Sequence, residues 1–247
     1  MIAYTCRKCG STDLKKNGHN RSGRQKIYCK ACHFSSTLEL QDLERRLKEE
    51  QVEKLSLERM SQRAIARTTG VSRMTIAKLQ KKISVPIAQT VTPLTSRPTL
   101  ELDELWSFVN NKGQKVWIWI ALERETRRIV GLAFGDRSSE TCVELWNSLP
   151  ADYRKRAVLY SDFWSAYAEV LPKKRHFAVG KESGETAHIE RFNNTLRQRC
   201  PNLVRKTLSF SKCEERHQAR IRTFIDHYNR PLEAAYLRSL SYTTTQR

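Results

Sequence analysis

No apolar run reaches the ~18 residues that a membrane span requires; the longest, Val116 to Leu122, is only strand-sized. The chain opens without a basic–apolar–small leader. The expectation is a chain that neither crosses a membrane nor is exported. Acidic residues are scarce as well: 26 Asp and Glu against 45 Lys and Arg leave a net charge of +19 over 247 residues. Residues 1–98 hold 20 basic and 8 acidic side chains, and residues 99–247 hold 25 and 18. Counterion release on a phosphate backbone rewards such a surplus, although a merely soluble basic protein carries it too. A G-x-x-x-x-G-K-[ST] phosphate loop is missing, as are a His-x-His pair and an activating cluster around any Ser or Tyr. ATP-driven chemistry and covalent recombination are therefore disfavoured. No internal repeat is apparent.

What is present begins with cysteine. Seven cysteines without an export signal imply reduced thiols. Four of them form Cys6-x2-Cys9 and Cys29-x2-Cys32. Two such hooks let four thiolates surround one Zn²⁺ and fold a segment too small for its own core. Asn17-Gly18 predicts a hairpin turn between the hooks, and basic residues crowd the same stretch. Cys142, Cys200 and Cys213 are scattered and read as core or inert thiols.

Residues 38–57 have helical spacing of apolar residues. Over 62–81 the sequence predicts a helix-turn-helix: Ala66 permits close helix approach and Gly70 suits a tight turn. Ile65, Val71, Ile76 and Leu79 lock the helices, and Ser72 caps the second. Its polar face would offer Arg73, Thr75, Lys78, Lys81 and Lys82 to a DNA groove; the plain alternative is an ordinary helical hairpin. The organisation expected is a zinc-finger module over 1–37, a helix-turn-helix domain over 38–84, a Pro- and Thr-rich linker over 85–98 and a catalytic domain with a C-terminal helix over 99–247.

After the linker, strands are predicted over 100–109, 115–122 and 127–136, a helix over 139–149, and a strand over 156–161 ending at Asp162. A short helix over 165–170, a strand over 175–179 and a long helix from about Ala187 complete a mixed α/β sheet. Asp103 lies on the first of these strands and Asp162 at the mouth of the fourth. On the helix, Ile189, Phe192 and Leu196 form an apolar stripe, with Glu190, Asn194 and Arg197 on an adjacent polar face. Three converging carboxylates make a hard-oxygen site for divalent metal, while any one alone reads as a solvated charge. Glu101 shares the face of Asp103, so it either assists or misleads. Residues 212–230, with Ile221, Phe224, Ile225 and Tyr228, predict a helix that caps the domain or joins subunits.

Glu101-Leu102-Asp103-Glu104-Leu105-Trp106, Tyr160-Ser161-Asp162-Phe163-Trp164-Ser165-Ala166-Tyr167 and His188-Ile189-Glu190-Arg191-Phe192-Asn193 resemble the catalytic blocks of transposases of the insertion-sequence-one family. Residues 205–212 and His227-Tyr228-Asn229 are similar to that family's C-terminal signature. The resemblance implies an RNase H-like mixed sheet flanked by helices, preceded by the zinc-binding β-hairpin module and the helix-turn-helix. It implies an Asp–Asp–Glu triad at Asp103, Asp162 and Glu190, served by two Mg²⁺ or Mn²⁺. The activity implied is binding of terminal inverted repeats, cleavage to a 3′-hydroxyl and transfer of that hydroxyl to target DNA. Asn194 and Arg197 would contact phosphates near the site. A homodimer or higher oligomer on DNA and a cytoplasmic, nucleoid-associated location in a bacterium or archaeon follow. In this family the upstream module is often joined by frameshifting; here it stands in one reading frame. Two rivals remain: a zinc-dependent DNA-binding regulator with an inactive nuclease-like half, and a nuclease that cuts without joining.

Overall fold

The computed structural model of the chain describes residues 5–37, 39–58, 60–82, 95–204 and 209–244. Most of the expected linker, the signature residues 205–208 and the side chains of Lys81 and Lys82 lie outside the described residues. Strands β1 (Leu14–His19), β2 (Gln25–Cys29) and β3 (Ser35–Thr37) form an antiparallel sheet in that order. The hairpin turn is not at Asn17-Gly18. Pairing slips between Lys16 and His19, where Gly18 takes a φ of +64°, so these residues form an irregularity inside β1. The chain reverses at residues 20–24 instead, because Asn20 Oδ1 accepts the N–H groups of Ser22 at 3.0 Å and Arg24 at 2.9 Å.

Helices α1 (Glu39–Leu57), α2 (Gln62–Thr69) and α3 (Arg73–Lys82) follow. Val52, Ile65 and Ile76, one per helix, are fully buried against each other. Ser61 caps α2 by accepting the Ala64 N–H, and Gly70 ends it at a φ of +70°. Ser72 Oγ accepts the Thr75 N–H at 3.2 Å and opens α3. Gln80 donates to Ser56 Oγ at 2.8 Å and accepts from Gln62 at 2.8 Å, so one amide ties all three helices.

Strands β4 (Thr99–Phe108), β5 (Lys115–Glu123), β6 (Ile129–Gly135), β7 (Val158–Ser161) and β8 (His176–Ala178) form a second sheet in the order β6-β5-β4-β7-β8. The first strand is central: β5 pairs with it antiparallel and β7 parallel. That switch at β4 is the RNase H-like arrangement. One face packs on α4 (Ser139–Ser148), α5 (Ala151–Arg156) and α6 (Ser165–Val170), the other on α7 (Ala187–Arg199) and α8 (Glu214–Thr244). Burial on both faces explains the unbroken apolar run of β5, whose Trp119 and Ala121 face one layer and Ile118, Ile120 and Leu122 the other. Pro150 starts α5, over residues to which the sequence assigns no element apart from Arg156, and β7 begins only at Val158, two residues later than expected. Helix α8 also runs past the expected end at 230 and through Pro231. Contacts on both sides of the proline hold it: the Asn229 amide pairs with the N–H and C=O of Ile129 at 2.9 and 2.8 Å, and Arg128 stacks on Tyr236. Ile221, Phe224 and Ile225 are buried against the sheet layer, so this helix caps the domain.

The helical unit is joined to the sheet domain. Leu57 of α1 is buried within the α7–α8 side of the core. Glu53 meets Arg230 at 3.4 Å and His227 at 3.6 Å, and Glu58 pairs with Arg199. Among the described residues no helix is long and apolar enough to cross a membrane.

Candidate active site and metal centre

The side-chain alternation of β4 sorts its three acids. Glu101, Asp103 and Leu105 point toward α7 and α8, whereas Leu100, Leu102 and Glu104 point toward α4–α6. Strand β7 pairs in parallel with Glu101 opposite Tyr160. Continuing that register would place Asp162 opposite Asp103, two residues past the last paired residues. Glu190 lies in the first turn of α7.

Asp103 is held by two donors: the Glu104 N–H reaches Oδ1 at 2.9 Å and Asn193 Nδ2 reaches Oδ2 at 2.7 Å. Burial, with the charge of Glu104 beside it, nevertheless pushes its carboxyl up to about 7. Asp162 is half-exposed; its Oδ1 accepts the Trp164 N–H at 3.0 Å, and Arg137 Nη2 lies 3.8 Å from Oδ2. Glu190 Oε1 accepts from Thr186 Oγ1 at 3.5 Å. Glu104 is drawn away from the triad, with Arg137 Nε at 2.7 Å and the Tyr167 hydroxyl at 2.9 Å; burial raises its carboxyl too. Arg137 stacks on Trp164 at 3.9 Å and on Trp117 at 4.9 Å. Phe163, next to Asp162, is 73% exposed.

The carboxylates of Asp103, Asp162 and Glu190 do not close into one tight group. Among the described residues only Cys6, Cys9, Cys29 and Cys32 bring three or more candidate ligand atoms all within 4.8 Å. A wider triad is compatible with a pair of ions roughly 3.5–4 Å apart, and an all-oxygen donor set suits Mg²⁺ or Mn²⁺. At the cysteines, Sγ–Sγ distances of 3.5 Å (Cys6–Cys32) and 3.6 Å (Cys9–Cys29) approach the edge of about 3.8 Å for a tetrahedron with ~2.3 Å Zn–S bonds. The Lys8 N–H donates to Cys6 Sγ at 3.4 Å. These four residues fit one Zn²⁺.

Arg73, Thr75 and Lys78 are exposed on α3. Asn194 is exposed on α7, but Arg197 is engaged within the protein, donating to the carbonyls of Leu203 at 3.1 Å and Trp106 at 3.4 Å. Between α3 and α8 lies a cleft of about 540 Å³ whose lining includes Lys78, Lys212, Arg216 and Arg220, with Glu215 the acid among them. Burial lowers the pKa of Arg220. The sequence reading missed Asn193 and Arg137. Asn193 carried a signal, being a polar residue inside the apolar stripe and one turn beyond Glu190; Arg137 carried none.

A family model described as IS1 transposase matches residues 99–229, slightly more than half of the chain. The chain belongs to the IS1 transposase family. The matched segment of this IS1-family chain contains β4 through the first half of α8, with Asp103, Asp162 and Glu190 inside it. Insertion element iso-IS1n protein InsB of Shigella dysenteriae is 42% identical over 129 residues, which are 52% of this chain and 94% of the relative. Insertion element IS1 protein InsB of Shigella flexneri is 36% identical over 130 residues, 52% and 95% of the two chains. Insertion element IS1 4 protein InsB of Escherichia coli (strain K12) is 35% identical over 131 residues, 52% and 75% of the two. The HTLV-2 integrase catalytic core domain, solved in complex with magnesium in a trimeric form, covers 54% of this chain and 86% of its own at 12% identity and a TM-score of 0.30. That likeness is too slight to bear on function.

Proposed function

We propose that this IS1-family chain binds the terminal inverted repeats of its element, cleaves each end to leave a 3′-hydroxyl and joins that hydroxyl to target DNA. The observation that carries the reading is the register of β4 and β7, paired as far as Glu101 and Tyr160; continued by two residues, it would set Asp162 beside Asp103. The Asn193–Asp103 hydrogen bond then draws the helix of Glu190 onto the same strand. Asp103, Asp162 and Glu190 would hold two Mg²⁺ or Mn²⁺. When bound, such ions activate the attacking oxygen and stabilise the leaving one in an in-line displacement at phosphorus.

In the first step a water oxygen bonds to phosphorus and the 3′ oxygen leaves. In the second, the freed 3′ oxygen bonds to a target phosphorus and displaces the target's own 3′ oxygen. One phosphodiester replaces another, so neither ATP nor a covalent protein intermediate is needed. Asn193 keeps Asp103 turned toward α7 throughout. Phe163 offers its exposed ring to a base unstacked near Asp162. The zinc module, the α3 residues Arg73, Thr75 and Lys78 with Lys81 and Lys82 beyond, and Asn194 on α7 supply the DNA contacts, whereas Arg197 is held by the carbonyls of Leu203 and Trp106. The basic cleft between α3 and α8 would carry backbone phosphates from the recognition helix toward the sheet. Because two element ends react together, a dimer or larger assembly forms on DNA.

The test is strand joining by purified, zinc-loaded protein on labelled DNA copied from the element's ends, with Mg²⁺, Mn²⁺ or EDTA. Joined products are expected from the wild type with either metal, and none with EDTA or from Asp162→Ala. Metal-dependent cutting without joining would identify a nuclease instead. Specific binding with neither cutting nor joining would identify a regulator.

A further inference from the structure

Glu101 is completely buried, yet it is a charged side chain two residues before Asp103 on the same strand face. Both its oxygens are occupied. Oε2 accepts the backbone N–H groups of His188 at 2.9 Å and Ile189 at 3.0 Å; Oε1 lies 2.6 Å from His188 Nδ1 and 2.8 Å from Arg124 Nε. These partners leave no oxygen directed at a metal beside Asp103. They also explain how α7 begins. Thr186, which precedes the helix, makes no side-chain cap, so the first turn takes its capping carboxylate from β4, far away in the chain.

Arg124 extends the contact to the remaining elements. It follows directly on β5 and bonds Glu185, in the loop before α7, through Nη1 to Oε2 at 2.7 Å and Nη2 to the carbonyl at 2.6 Å. Its guanidinium also lies 4.8 Å from the ring centre of Tyr160 on β7. Glu101, Tyr160 and His188 each stand two residues before one triad carboxylate: Asp103, Asp162 and Glu190 respectively. Glu101 and Tyr160 are also direct register partners. One pair of opposite charges, with Glu101 buried and Arg124 partly exposed, thus touches all three elements at the same step along the chain before each carboxylate.

We infer that Glu101 and Arg124 are positioning residues, a clamp that sets the spacing of β4, β7 and α7 and hence of the three carboxylates. The inference rests on the triad reading proposed above. A charge pair of this kind is a poor source of stability in itself, because desolvation offsets its attraction. Its value here lies in fixing two strands and a helix to one another. Groups that orient metal ligands from behind have effects of about 10- to 100-fold on metal affinity when they are replaced.

The experiment compares zinc-loaded, full-length wild type with Glu101→Gln, Arg124→Lys and Asp162→Ala. Mn²⁺ is the probe, and free ion is followed by electron paramagnetic resonance. Thermal melting, end-DNA binding and amide exchange at His188 and Ile189 in the Mn²⁺-free protein are read alongside. The expected result is Mn²⁺ binding weakened by about 10- to 100-fold in both clamp variants, with near-native melting and DNA binding and with faster exchange at the two amides in Glu101→Gln. If Glu101→Gln fails to fold, Arg124→Lys and Glu185→Gln, both at the less buried rim of the clamp, are judged by the same Mn²⁺ shift. Folded clamp variants that bind Mn²⁺ as tightly as wild type would overturn the inference. Wild-type Mn²⁺ binding that survives Asp162→Ala unchanged would instead remove the triad reading, and the clamp's role with it.

Discussion

At the scale of single residues, the candidate site is defined by what burial does to charge. Asp103 has two hydrogen-bond donors, but its proton stays on up to about pH 7 in the folded chain, against an ordinary value of 3.8. The folded state therefore binds a proton that the unfolded chain has released, and stability falls as pH rises from about 4 to about 7. Replacing Asp103 by Asn removes that penalty. In chelator at pH 8, Asp103→Asn is expected to be more stable than wild type, by an upper bound on the order of 4 kcal/mol. The gain should vanish near pH 4 and strand cleavage should be abolished. Urea melts at both pH values measure it, and an unchanged or lower stability at pH 8 would refute the account. Asp103 was visible in the sequence because its strand alternates plainly. Asn193 stands out in the sequence only as a polar residue inside the apolar stripe; its bond to Asp103, 90 residues away, is not legible there, because nothing nearby in the chain says which strand a helix will face.

Elements were mostly foreseen from short-range patterns, and their errors also have local causes. Asn17-Gly18 has the composition of a hairpin turn, but Asn20 captures two backbone N–H groups three residues later and moves the reversal. The turn between α2 and α3 was read correctly from Gly70, which has a φ of +70° and open space where a Cβ would stand. The cost of a side chain there is therefore conformational, not steric crowding by neighbours. Gly70→Ala is expected to destabilise the helical unit by about 1–2 kcal/mol and to weaken end-DNA binding. Melting followed by circular dichroism, with a binding titration beside it, checks this; unaltered melting would show that the turn tolerates another geometry. Helix α7 is the opposite case. Its apolar stripe of Ile189, Phe192 and Leu196 is buried as expected, but its N-terminal cap comes from Glu101, a residue whose own neighbourhood reads as plain strand.

For the whole molecule, the sequence suggested separate units joined by a Pro- and Thr-rich segment, and the contacts couple them more closely. Leu57 leaves the small core of Val52, Ile65 and Ile76 and enters the core of the sheet domain. Glu53 and Glu58 reach Arg230 and Arg199 around it. All five tryptophans lie within 99–247, so their fluorescence reports the sheet domain alone. Leu57→Ala should lower the melting temperature seen by tryptophan, with a cost of about 2–3 kcal/mol, although the substitution lies in another unit. A tryptophan transition that does not move would mean the two units are energetically independent. The family's His227-Tyr228-Asn229 signature also acquires a physical meaning at this scale. His227 lies near Glu53, Tyr228 packs edge-on to Phe192 at 4.8 Å, and Asn229 pairs with the backbone of Ile129. The three residues join α8 to α1, α7 and β6.

The sequence by itself determined what depends on neighbours a few residues apart: two cysteine hooks of metal spacing, the cap at Ser72, the alternation of β4 and the apolar stripe of α7. It also carried the motif blocks from which the three carboxylates were chosen. Tertiary structure alone decided how those carboxylates are arranged and what holds them. The register of β4 on β7, the Asn193–Asp103 bond, the diversion of Glu104 to Arg137 and Tyr167, and the capture of His188 by Glu101 join residues tens of positions apart. A carboxylate's role depends on which donors and charges surround it, and that surrounding exists only once the strands have paired and the helices have docked.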